Sequence, residues 1–165
     1  MKYLKLIPVL LLTLMFVFAE SCVKDEDLKE PEVKPEVNTV VLNEIMAAGD
    51  PDYIELYNKA DHEVDISGYK LHDKDPSEAY TIPEGTIISG KGFWTLDCDG
   101  SETTLFKISK KGENVSLLNK EGKVIDNINA EDWPAGHSGL IGRVPDGGDN
   151  WRILEKESKG KSNGN

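Results

Sequence analysis

The chain has 165 residues, with 30 acidic against 19 basic side chains, a formal net charge of -11 and a pI near 4.7. No basic cluster offsets that excess, which excludes phosphate-backbone binding and with it a nucleic-acid partner. The two cysteines, Cys22 and Cys98, make a poor disulfide, because joining them would tie a folded domain to its leader for little gain.

In chain order the first element is the leader, MKYLKLIPVLLLTLMFVFAESC. Lys2 and Lys5 form a positive head, and Leu6 to Ala19 form an apolar run shorter than the roughly 20 residues of a permanent membrane helix. Residues 1–21 therefore read as a secretory signal. Ala19-Glu20-Ser21-Cys22 resembles the lipobox of bacterial lipoproteins, with Ala19 where Leu is usual and an atypical Glu20. That resemblance implies cleavage before Cys22, a diacylglyceryl group on its sulfur and acylation of the new amino terminus, which together anchor the chain to a membrane. The alternative is an ordinary signal peptide that leaves Cys22 as a free thiol.

Residues 22–38, which begin at the lipidated cysteine, are acidic and broken by Pro31 and Pro35. Such a segment buries too little apolar surface to offset its ordering entropy, so an extended tether is expected. Within it, Lys24-Asp25-Glu26-Asp27 resembles the acidic export signal of surface-displayed lipoproteins. A plain solvated linker is the other reading.

From residue 39 to 155 short period-two apolar runs alternate with Gly, Pro, Asp and Asn, the pattern of an all-β domain with little helix. TVVLNEIM places Val41, Asn43 and Ile45 on one face and Val40, Leu42 and Glu44 on the other. After the Gly49-Asp50-Pro51 turn, DYIELYN sets Ile54 and Leu56 inward. Further strands are expected at EVDI, YKLHD, AYTI, TII, GFWTLD, TLFKI, NVSLLN, KVIDNI, LIGRV and NWRILE. Glu121-Gly122 supplies the positive φ of a tight hairpin between VSLL and VIDNI. Two packed antiparallel sheets bury one face of so many strands. The polar residues 156–165 are expected to form a flexible tail.

Several pieces in this order resemble the lamin tail domain, an immunoglobulin-like β-sandwich. They are Leu42-Asn43-Glu44-Ile45, Asp52 to Asn58, Val64 to Leu71, Tyr80 to Ile88, Gly90-Lys91-Gly92-Phe93, Asn114 to Leu117 and Ser138 to Gly147. The closing Thr-Pro-Gly common in bacterial members is replaced by SKGKSNGN. The resemblance implies that fold and a non-catalytic interaction module without naming its ligand. The lamins' link to chromatin does not transfer to a secreted, acidic chain.

Few residues suggest chemistry. Gly136-His137-Ser138-Gly139 looks like a nucleophile elbow, but that turn needs glycine two positions after the serine and Leu140 stands there. His62, His72 and His137 offer no ordered triad, so no catalytic residue is assigned and the chain is read as a non-enzyme. The turn acids Asp50 and Asp52, Asp73 and Asp75, Asp97 and Asp99, and Asp146 and Asp149 make calcium the one candidate cofactor, though Asp forms turns anyway. No metal ligand set is assigned, and Cys98 reads as a free thiol near a strand end. Glu44 and Glu55 read as strand-surface residues making polar contacts, not a glycosidase pair. Trp94 and Trp151 read as core packing, and Trp133, beside Pro134 in a loop, is the candidate exposed binding aromatic.

The expectation is an envelope lipoprotein anchored at Cys22, on the outer membrane and facing outward, whose sandwich binds a protein, a glycan or another envelope component. A calcium-stabilised accessory module of a secreted hydrolase or adhesion system, and a spacer without ligand, are the alternatives.

Overall fold

The computed structural model describes residues 39–100 and 104–164. Its strands are β1 (Val40–Met46), β2 (Asp52–Asn58), β3 (Val64–Asp65), β4 (Lys70–His72), β5 (Tyr80–Thr81), β6 (Ile87–Ile88) and β7 (Phe93–Cys98). They continue with β8 (Val115–Leu118), β9 (Val124–Ile128), β10 (Leu140–Arg143) and β11 (Trp151–Ile153). The only helical elements among the described residues are two short 3₁₀ turns, η1 (Pro76–Glu78) and η2 (Ala130–Asp132).

The strands pair antiparallel into a five-stranded sheet of order β11-β10-β1-β2-β7, a four-stranded sheet of order β5-β4-β8-β9 and a small β3-β6 ribbon. One apolar core joins them. Leu42, Ile45, Ile54 and Leu56 of the larger sheet share it with Leu71, Val115, Leu117 and Ile128 of the smaller, and Ile66, Ile82 and Ile88 are buried in it too. The architecture is an immunoglobulin-like β-sandwich, as expected, with Ile54 and Leu56 facing in.

β1 departs from simple alternation. Leu42 pairs with Leu56 and Glu44 with Glu55, so Asn43 is one extra residue on β1, a β-bulge. The bulge resets the phase: Val40 and Leu42 point into the core before it and Ile45 after it. Strict alternation puts Glu44 beside Leu42 in the core and Ile45 outside; the bulge reverses both. Glu44 thereby joins the outer side of the sheet opposite Gly142 of β10 and Glu55 of β2.

TLFKI forms no strand, although its burial alternates as a strand's does. Thr104, Phe106 and Ile108 are buried while Leu105 is 59% exposed. The period reported which side chains go in, but this stretch has no ladder partner. The hairpin at Glu121-Gly122 forms as expected. Asn119 donates to Lys123 O at 2.9 Å and Gly122 takes a φ of 77°.

Residues 158–163 do not fray as their composition suggests; they lie across the outer side of the five-stranded sheet. Ser158 N donates to Glu44 Oε1 at 3.0 Å, Gly160 N to Glu55 Oε2 at 2.6 Å and Asn163 N to Asp146 Oδ1 at 3.0 Å. Asn163 Nδ2 donates to the carbonyls of Asn43 and Arg143 at 3.1 and 3.0 Å. Gly142 makes room for this strap: a Cβ there falls 2.5 Å from Asn163 Nδ2 and 2.7 Å from Leu154 Cδ1. What holds the segment is carboxylates presented by the sheet, which a reading of the segment's own polarity does not see.

Candidate functional site

The polar residues of the domain gather in two places. The first lies under the strap, where the bulge delivers Glu44 and Asn43 next to Glu55. Both glutamates are 0% exposed. Glu44 accepts from the Tyr53 hydroxyl, from Ser158 N and from the Ser158 hydroxyl. Glu55 accepts from Asn43 Nδ2 at 3.1 Å as well as from Gly160 N. Asn43 also donates to Asp146 at 3.0 Å and accepts from Gly147 N at 2.9 Å, joining the sheet to the β10–β11 turn. Burial pushes the Glu55 carboxyl up to about 7, the donors Asn43 and Gly160 oppose that, and the charges of Glu44 and Asp146 add to it. Burial, followed by the hydrogen bond to Glu44, raises the Tyr53 phenol. These glutamates make the polar contacts expected from the sequence, but as buried acceptors within a network instead of at the strand surface.

The second place is built on Arg143, at the end of β10 and only 7% exposed. Its Nη2 lies 2.9 Å from both carboxylate oxygens of Asp126 on β9, and its Nη1 donates to Gly148 O at 2.6 Å. Its Cζ stands 4.9 Å from the Trp151 ring centroid, and its Nε is buried without a partner. Leu42 N adds a bond to Asp126 at 2.8 Å. Asp126 thus receives donors from β1 and β10 while sitting on the opposite sheet. Burial raises its carboxyl despite the opposing Arg143 charge. Arg143 is thus paired with an acidic neighbour across the gap between the sheets.

Trp133 belongs to neither place. It is 6% exposed, donates from Nε1 to Glu113 O at 2.9 Å and lies 4.8 Å from the His137 ring. Gly112 backs it so closely that a Cβ there meets Trp133 Cγ at 3.0 Å. It is packing, not an exposed binding aromatic. The apolar ring outweighed the loop context that suggested exposure. Trp94 and Trp151 are half-buried against the core.

His137 lies tilted against Trp133 and leaves Nδ1 buried without a partner, Ser138 is exposed, and β10 begins two residues later. The elbow-like stretch is a turn into a strand, with Gly136 and Gly139 at φ of 85° and 106°.

Several of the turn acids accept hydrogen bonds from the chain itself. Asp73 accepts from Asp75 N at 2.7 Å, Asp75 caps η1 through Ser77 N at 2.9 Å, and Asp52 accepts from Ile108 N at 3.3 Å. Among the described residues no group of three or more acidic, histidine or cysteine side chains is placed to hold a metal ion. Cys98, at the end of β7, is free and buried, and burial raises its thiol well above the ordinary range. Cys22, the lipidation candidate, lies outside the described residues.

Neither the Asp126–Arg143 bridge nor the strap is legible in the sequence of a single segment. The one signal for the first was Asp126 in an otherwise apolar-alternating strand, a charge facing the gap between sheets; for the second there was none local to the tail. No curated protein matches this chain. The family model of the lamin tail domain matches residues 34–132, from the segment before β1 through η2. That match covers more than half of the chain, and the chain belongs to the lamin tail domain family.

Proposed function

We propose that this protein is an envelope lipoprotein that uses its lamin tail sandwich as a non-catalytic interaction module, held outward on a lipid anchor at Cys22. The observation that carries the non-catalytic half is the fate of the groups nominated for chemistry. Glu44 and Glu55 are buried and bonded to the strap, Trp133 is packed, and Ser138 has no histidine bonded to it among the described residues. A sandwich so arranged positions surfaces instead of reacting groups. The anchoring half rests on the apolar leader, Cys22 and the acidic tether.

Mass spectrometry of the mature amino terminus tests the anchor. The expected species begins at an acylated Cys22, and Cys22→Ala moves the protein from the membrane to the soluble fraction. An unmodified terminus sinks the anchor. Protease shaving of intact cells tests the facing: the outward placement predicts cleavage without lysis. Loss of short-ester hydrolysis on Ser138→Ala, were the purified chain to show such hydrolysis, would overturn the non-catalytic reading.

A further inference from the structure

A cleft of ≈ 400 Å³ opens where β9 and η2 face the β10–β11 hairpin, lined by Asn127, Asp132, Arg143, Asp149, Asn150 and Trp151 among others. Its size falls within the roughly 300–1,000 Å³ of small-ligand sites. We infer that this cleft binds a neutral saccharide, an inference that rests on the interaction-module reading and gives it a ligand class.

Unlike the polar groups under the strap, those of the cleft retain hydrogen-bonding capacity. Among the described residues the Asp149 and Asn150 side chains take part in no hydrogen bond. Asp132 engages Oδ2 with Asn129, at 3.3 Å to its N and 2.9 Å to its Nδ2, and keeps Oδ1. Asn127 donates through Nδ2 to Asn129 Oδ1 at 3.1 Å and keeps its side-chain carbonyl. Two amides and two carboxylates from separate segments converge on one opening beside a half-buried indole.

Three features select the ligand class. The charge of Arg143 is taken up by Asp126 and Gly148 O, so with Asp132 and Asp149 on the walls an anion meets repulsion and no free cation. Hydroxyl groups both donate and accept, as the two amides do, whereas a lysine offers donors alone. The Trp151 ring supplies an apolar surface of the kind that a sugar's C–H face covers. The walls are fixed before any ligand arrives. Arg143 ties β9 at 2.9 Å to the hairpin at 2.6 Å, and it holds the indole at 4.9 Å, which lowers the ordering cost of binding.

The test uses the full chain in detergent on immobilised neutral oligosaccharides of glucose, mannose, xylose and N-acetylglucosamine, with uronate-bearing glycans and a lysine-rich peptide beside them. Retention by at least one neutral glycan is expected, weakened at least about tenfold by Trp151→Ala and by the exposed-site variant Asn150→Ala. An unchanged melting temperature in Asn150→Ala separates lost binding from lost folding. No neutral glycan retained, both variants binding as wild type, or a preference for uronates or the peptide overturns the inference. Running Cys22→Ala on the same array keeps the two readings apart. Glycan binding alongside an unmodified amino terminus sinks only the anchor, and an acylated terminus without glycan binding sinks only the saccharide.

Discussion

The network under the strap and the cleft beside Arg143 are made of the same residue types, carboxylates, amides and a neighbouring aromatic ring, yet they are occupied in opposite ways. Beneath the strap, Glu44, Glu55, Asn43 and Asp146 are satisfied by Ser158, Gly160, Gly147 and Asn163 of the same chain. In the cleft, Asp149, Asn150 and one oxygen each of Asp132 and Asn127 face outward with capacity left. Residue type therefore does not mark a binding site in this domain; what marks it is whether the chain itself has already used the polar groups.

Arg143 is where the comparison breaks hardest, because its charge is held within the protein next to the open cleft. Asp126→Ala strands a buried guanidinium and should cost about 3–5 kcal/mol in urea unfolding. It should also loosen the wall that β9 forms, lowering saccharide retention with it. A loss under about 1 kcal/mol would mean that solvent reaches Arg143 and that the bridge is not what fixes the cleft.

Ending the chain at Glu157 removes the strap and hands Glu44 and Glu55 to water. Hydrogen bonds to charged groups contribute about 1.5–3 kcal/mol each, but rehydration offsets much of that, so a loss of about 2–4 kcal/mol is expected. If unfolding were unchanged, saturation by the chain's own donors would not be what distinguishes the two regions.

The pH profile sharpens the same contrast. Glu55 moves from 4.5 to about 7 on folding, so the folded state holds this proton more tightly than the unfolded one. Its stabilising share is therefore complete below about 4.5 and is lost as pH rises through about 7. A single such group gives a slope of at most about 1.4 kcal/mol per pH unit. Subtracting the profile of Glu55→Gln from that of wild type should isolate a fall confined to that window. A flat difference would place Glu55 in contact with solvent.

The smallest effects belong to the cleft rim. Asp149→Ala and Asn150→Ala should each shift unfolding by no more than about 0.5 kcal/mol, since neither side chain is bonded within the domain. A larger loss in either would make the rim structural and bring the two regions together.

How far the sequence foretold this arrangement depends on the range of the interaction. β2 was legible because Ile54 and Leu56 alternate with Tyr53, Glu55 and Tyr57 without interruption, and the β8–β9 hairpin because Gly122 sits where a positive φ is needed. β1 was misread past Leu42, because a bulge is a property of two strands and leaves no mark in the residues of one. Trp133 was misplaced for the same reason: its neighbours in sequence are loop residues, while its partners, Gly112 and Glu113, lie about one hairpin away. The strap is illegible altogether, since its ordering comes from backbone N–H groups meeting Glu44, Glu55 and Asp146, acids on distant segments of which the bulge turns Glu44 outward. The cleft shares that difficulty. Its walls come from β9, η2 and the β10–β11 hairpin, and the matched family span ends at residue 132, before the second wall begins.

The strap also bears on how the protein can be labelled. Asn163 is held by four hydrogen bonds, so a reporter fused just after it pulls on the contacts that cover Glu44 and Glu55. The tip of the β8–β9 hairpin is the freer attachment point: a Cβ added at Gly122 meets nothing within 4 Å, and cargo inserted there leaves both polar regions alone.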